Sequence, residues 1–176
     1  MQNILVAVDL QNDFIDGALG TKEAVAIVPA AEKRIREFQG TVLFTRDTHG
    51  DNYMETEEGK NLPVPHCIKG TEGWEIRKEL EALRTTEAID KPVFGSEELG
   101  NILSEMNRKE TVGSVTFIGL CTDICVISNA MIARAFLPNA HIIVDCDACA
   151  GVTPESHSRA LEAMAACQVE VIGNNR

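Results

Sequence analysis

The chain has 176 residues, 44% of them apolar and 24% charged, with a formal net charge of −11. That size and composition suit one soluble globular domain over residues 1–176, large enough to bury a core, while the negative charge works against nucleic acid and anionic membranes, which both require a basic surface. No apolar run is long enough to span a bilayer, and the opening MQNILVAVDLQNDF has no basic region and meets Asp9 too early for a signal peptide, so the expected location is the cytoplasm.

Residues 4–10, ILVAVDL, form a continuous apolar run with Asp9 near its end, the pattern of a central parallel strand buried on both faces. Residues 11–20 are polar and turn-rich. The spacing of Ile27, Ala31, Ile35 and Phe38 predicts a helix over 24–39, ended by Gly40. A second strand, 41–45, runs into Arg46, Asp47, Thr48 and His49. Residues 50–73 are long, polar and aperiodic, with Pro63 and Pro65 opposing a helix; long loops of this kind are usually functional or disordered, and His49 and His66 favour function.

A short amphipathic helix is expected over 74–83 and a third strand over 88–91, stopped by Pro92. A helix over 97–107 follows, with Ser96 placed to cap it. Residues 115–118 read as a buried strand, Gly119 breaks it, and Thr122-Asp123 opens a helix that carries on through Ala135. Residues 141–146 give a fifth strand, 154–167 a helix and 169–172 a sixth strand. Alternating strands and helices predict an α/β fold: a central, mostly parallel six-stranded sheet with helices on both faces. Such sheets bind ligands beyond the C-terminal strand ends, near the switch in strand order. Asp9, Asp47, His49, Lys91 and Cys125 all fall at that edge.

Six cysteines do not require disulfides in a chain with this much core and nothing that marks it for secretion. Cys146 and Cys149 make a CxxC, but Gly151 and Pro154 intervene before a helix can start, unlike the usual redox arrangement. Cys125, in the first turn of a helix, is better placed: exposed backbone N–H groups and the helix dipole favour a thiolate there. Asp9 can take and return a proton, Lys91 can stabilise both negative charges, and backbone N–H groups of Cys121 and Cys125 can hold an oxyanion. The set suits acyl transfer through a thioester. Asp47, His49 and His66 suit a divalent metal, Zn²⁺, Fe²⁺ or Mn²⁺, with Glu55, Glu57 or Glu58 as a further ligand.

Six segments in order, VAVDLQNDF, TRDTH, PVPHCIKGTEGWE, KPVFGS, GLCTDICV and DACAG, resemble the isochorismatase-like cysteine hydrolases and, within them, the nicotinamidase-like branch. The resemblance implies a Rossmann-like three-layer sandwich, a catalytic triad at Asp9, Lys91 and Cys125, a cis peptide between Leu120 and Cys121, a metal site at Asp47, His49 and His66, and Phe14 lining the substrate pocket. Some relatives use a glutamate ligand where others have a further histidine; Glu58, nearer His66 than Glu55, is the one favoured here. Zinc is the leading metal. Pro63 stands where many nicotinamidases carry an aromatic residue that stacks on the pyridine ring. The implied activity is hydrolysis of a small-molecule amide, nicotinamide first, with another amide, carbamoyl compound or ureide as the alternative, or a non-catalytic binding module. The metal set argues against isochorismate itself. Family members commonly form dimers or tetramers, so a homo-oligomer is expected.

Overall fold

Residues 4–8 have no exposed side chain on either face, which requires a strand with neighbours on both sides and layers above and below it. The computed structural model describes residues 1–175 and places them in β1, Gln2–Val8. The other strands are β2 (Thr41–Asp47), β3 (Ile89–Lys91), β4 (Val112–Leu120), β5 (His141–Ala150) and β6 (Glu170–Ile172). They form one sheet in the order β3-β2-β1-β4-β5-β6, and every neighbouring pair is parallel.

The pleat of β1 sorts its side chains into two cores. Ile4, Val6 and Val8 pack with Leu99 and Leu103 of α5 (Glu97–Lys109), Ala130 and Ala133 of α6 (Ile127–Phe136), and Leu161 and Met164 of α7 (Pro154–Ala166). Leu5 and Ala7 face Ala24, Ile27, Ala31 and Ile35 of α2 (Lys22–Glu37) on the other side. This is the expected three-layer sandwich. Each fully buried aliphatic side chain on these faces contributes about 1.5–3 kcal/mol. Thr21, Ser96 and Thr153 cap α2, α5 and α7 by accepting a hydrogen bond from the backbone N–H three residues on. No helix of the described residues is long and apolar enough to cross a membrane.

The chain builds outward from β1 through β2 to β3, then returns to β4 on the opposite side of β1. The strand order therefore reverses between β1 and β4, and a crevice opens beyond their C-terminal ends. Asp9 follows the first of these strands and Cys121 the second.

Several elements differ from the sequence expectation. The turn-rich stretch after β1 contains a short helix, α1 (Asn12–Ile15), and the long polar loop contains a 3₁₀ turn, Tyr53–Glu55, and α3 (Glu57–Asn61). The helix expected over 74–83 shrinks to α4 (Lys78–Glu81). Its first residues form turns and a bridge instead: Asn12 and Asp13 donate N–H bonds to the Glu75 and Gly73 carbonyls, and Gln11 bridges Ile76. β5 continues past Cys146 to Ala150, because a register shift in the β4–β5 ladder lets Gly119 pair with Cys149 and Leu120 with Ala150. Cys146 and Cys149 are thus buried strand residues in the core rather than the opening of a helix.

Gly119 lets β4 pass β1 closely. Its φ is +119°, and an added Cβ would lie 2.0 Å from the Val8 carbonyl oxygen. Gly119→Ala is expected to lower stability by at least about 3 kcal/mol in urea unfolding, since both the dihedral and the contact oppose a side chain.

Candidate active site

Beyond β4 the Leu120–Cys121 peptide is cis, at the position implied by the resemblance. The chain then makes a wide π turn, Thr122–Val126, before α6, a departure from the α-helical start expected at Thr122. In this turn the N–H groups of Ile124 and Val126 both donate to the Cys121 carbonyl, each at 3.1 Å. Thr122 Oγ1 lies 2.8 Å from His157 Nδ1 on α7. Asn129 fastens the next turn: Nδ2 donates to the Cys125 carbonyl at 2.8 Å and Oδ1 accepts from the Ser96 N–H at 2.9 Å. Cys125 is held almost fully buried at the floor of a cavity.

Lys91, at the end of β3, reaches the same point under complete burial. Its Nζ lies 2.6 Å from Asp9 Oδ2, 3.2 Å from Asp47 Oδ1 and 3.4 Å from Cys125 Sγ, and it donates to the Val93 carbonyl at 3.2 Å. Asp9 is turned inward by a left-handed backbone, φ +47°, unusual for a residue other than glycine. Its Oδ1 accepts from Thr45 Oγ1 at 2.7 Å.

Burial disfavours the Lys91 ammonium, but Asp9, Cys125 and Asp47 together hold its pKa above the usual lysine range. Burial raises Asp9 above the ordinary aspartate range despite the opposing pull of Lys91. The Cys125 thiol is also pushed well up, first by burial and then by the negative charge of Asp9, with Lys91 countering only in part. The sequence reading of a helix-start thiolate is corrected here. The pocket is deep enough for desolvation to outweigh the helix terminus and to shift the thiol toward its protonated form. Burial likewise pushes Cys121 up to about 12.

A second cluster adjoins the first. Asp47 and His49, two residues apart as β2 ends, face the same side, with Asp47 Oδ2 2.9 Å from His49 Nε2 and 3.5 Å from His66 Nε2. Of the three candidate glutamates, Glu58 on α3 joins them, its Oε1 lying 3.7 Å from His49 Nε2 and 3.6 Å from His66 Nε2. Glu57 points to solvent toward Lys60. One donor atom from each of Asp47, His49, Glu58 and His66 falls within 4.8 Å of the others. Two imidazoles and two carboxylates fit a divalent ion, and the His66 Nδ1 contact with the Val64 carbonyl, 2.8 Å, leaves Nε2 for the cluster. Burial opposes charge on Asp47, but hydrogen bonds from both histidines and the charge of Lys91 hold it well below the usual carboxylate range.

Other residues that hold the site were not singled out in the sequence. Gln11, fully buried, brackets Asp47: its Nε2 donates to the Asp47 carbonyl at 2.8 Å and its Oε1 accepts the Asp47 N–H at 2.7 Å. Tyr53 packs edge-on against His49 and His66, ring centroids 4.8 and 5.1 Å away. Asp13 Oδ2 accepts from the Cys67 N–H at 2.7 Å and fixes the turn that carries His66. A polar residue directly after the apolar run 4–10, as Gln11 is, was the available signal. The two clusters share a cavity of about 630 Å³, with Cys121, Cys125, Asp47, His66 and Glu58 in its walls and Phe14 packed edge-on to His66 at 5.5 Å. Leu62, rather than Pro63, lines it.

Fold and site together define an α/β protein with a thiol, a carboxylate and an ammonium grouped at the sheet's switch point, beside a nitrogen–oxygen donor cluster. The isochorismatase domain matches residues 3–176, and the chain belongs to that family. It is 29% identical to the nicotinamidase/pyrazinamidase of Mycobacterium tuberculosis, over 96% of this chain and 97% of that one. Among solved structures, the zinc complex of Pyrococcus horikoshii pyrazinamidase superposes with a TM-score of 0.78 at 27% identity, covering 99% of this chain and 100% of that one. The N-carbamoylsarcosine amidase of Thermoplasma acidophilum gives 0.74 at 29%, covering 97% and 95%.

Lys91→Met would leave buried carboxylates without their cation, an expected loss of about 3–5 kcal/mol in urea unfolding. Combining it with Asp9→Asn is expected to restore more than half of that loss, since the second change removes the stranded charge.

Proposed function

We propose that this chain hydrolyses a small carboxamide to the acid and ammonia, nicotinamide being the leading substrate, through a thioester on Cys125. It is an amidohydrolase acting on non-peptide C–N bonds. The observation that carries the reading is the contact of Lys91 Nζ with both Asp9 and Cys125 at the floor of the cavity.

As Sγ attacks the carboxamide carbon, the thiol proton passes to Asp9. The raised thiol pKa makes that transfer part of the attack, with no standing thiolate required. Lys91 remains protonated and offsets the negative charge, whether it resides on Asp9 or on sulfur. The N–H groups of Cys121 and Cys125 serve the developing oxyanion. When the C–N bond breaks, Asp9 returns the proton to the departing nitrogen and ammonia leaves. Water then adds to the thioester, again giving a proton to Asp9, and the acid is released as Sγ regains it.

Asp47, His49, Glu58 and His66 would hold the divalent ion. Zinc is the first choice, supported by the zinc of the Pyrococcus relative, with iron or manganese as alternatives. When bound, the ion supplies a Lewis acid that can orient a heteroaromatic nitrogen. Pro63 in the place of a stacking aromatic favours the second reading, another amide or a carbamoyl compound processed by the same chemistry.

Metal-replete protein incubated with nicotinamide is expected to release ammonia, and Cys125→Ala none; absence of ammonia from both proteins would sink the nicotinamidase reading. Metal analysis after dialysis is expected to find one divalent ion per chain in the wild type. In His49→Ala/His66→Ala the affinity is expected to fall at least a hundredfold.

A further inference from the structure

The cavity is larger and more apolar than a single heteroaromatic ring requires. Its volume is about 630 Å³, whereas a cavity of roughly 150 Å³ already holds a benzene ring and drug-sized ligands occupy about 300–1,000 Å³. Its inner end carries the chemistry: Cys125, Asp47 and His66, all buried. Its outer end carries Leu62, Val93, Phe94 and Val152, each exposed by 37–49%. Among the described residues, these four are half of the eight strongly exposed large apolar side chains. Scattered surface apolars need no explanation, but these four line one mouth and are continuous with the buried floor that carries Cys125.

Charge narrows the ligand further. No lysine or arginine lines the cavity among the described residues; its lining carboxylates are Asp47, Glu57 and Glu58. The nearest buried cation, Lys91, is already engaged by Asp9 and Asp47. A carboxylate on the substrate would find no lysine or arginine partner among the residues lining the outer end.

We infer that the preferred substrate is an uncharged carboxamide whose acyl part extends past its first ring as an apolar arm lying against Leu62, Val93, Phe94 and Val152. This rests on the amidohydrolase reading above and deepens it. It sets this chain apart from an amidase whose substrate, like N-carbamoylsarcosine, carries its own carboxylate.

The test compares ammonia release from nicotinamide, from nicotinamides bearing methyl, propyl and butyl groups at each of two ring positions, and from analogues of equal length ending in a carboxylate. At one ring position kcat/KM is expected to rise about three- to fourfold per methylene, the factor that corresponds to burying a CH₂. Carboxylate-ended analogues are expected at least tenfold below their alkyl counterparts. A flat or falling alkyl series at both positions, or parity between the two chain endings, overturns the inference. The same compounds titrated calorimetrically into Cys125→Ala protein separate this inference from the reaction. If Kd tightens with alkyl length while wild type releases no ammonia from any amide, the apolar arm stands and the hydrolase reading falls. If Kd is flat while nicotinamide is hydrolysed, the hydrolase reading stands and the apolar arm falls.

Discussion

One buried ammonium group holds this structure's interior charge in balance. Two carboxylates, Asp9 and Asp47, are withdrawn from water at the centre of the molecule, and Lys91 Nζ lies within 3.2 Å of both. Burying an unpaired carboxylate costs several kcal/mol, so neither could be kept ionised there alone. The same ammonium lies against the Cys125 sulfur. Its influence is therefore divided: it pulls against the burial that raises Asp9 and against the burial that raises the Cys125 thiol, and outweighs neither. That division leaves a thiol, a carboxylate and an ammonium in contact at one point of the crevice.

The sheet accounts for why these groups meet. Asp9, Asp47 and Lys91 lie at the ends of three adjacent parallel strands, and Cys125 lies one turn beyond a fourth. In a parallel sheet all strand ends of one polarity share an edge, so residues far apart in sequence converge without any long-range pairing of their own. The glycine at 119 and the left-handed turn at Asp9 shape the junction where β1 and β4 part.

Much of this was legible in the sequence because it rests on local pattern. Continuous apolar runs marked the strands, and reactive side chains stood directly after them. The D-x-H spacing set Asp47 and His49 on one side, and the structure brings their side chains together. What was not legible depends on partners distant in sequence. Residues 74–76 read as the start of an amphipathic helix, but the turn at Gln11–Asp13 claims their backbone. β5 could be extended only by the shifted ladder with β4. Glu58 is favoured by its nearness to His66 in the chain, but the short helix capped by Thr56, from which it joins the cluster, was not legible there. The thiol's proton affinity follows from depth and from the position of Asp9, neither of which a one-dimensional reading can measure.

Asp47 belongs to both clusters at once: one oxygen faces Lys91, the other His49 and His66, and its backbone is clasped by Gln11. The two halves of the site consequently have a common hinge and are not independent variables. A substitution at Asp47 would disturb the Lys91 contacts and the donor cluster together and could not apportion its effect between them. Glu58 and His66 on one side, and Thr45 on the other, offer positions from which each half can be altered separately. A neutral residue at Asp47 would leave Lys91 with Asp9 as its remaining carboxylate partner while removing one donor from the neighbouring cluster.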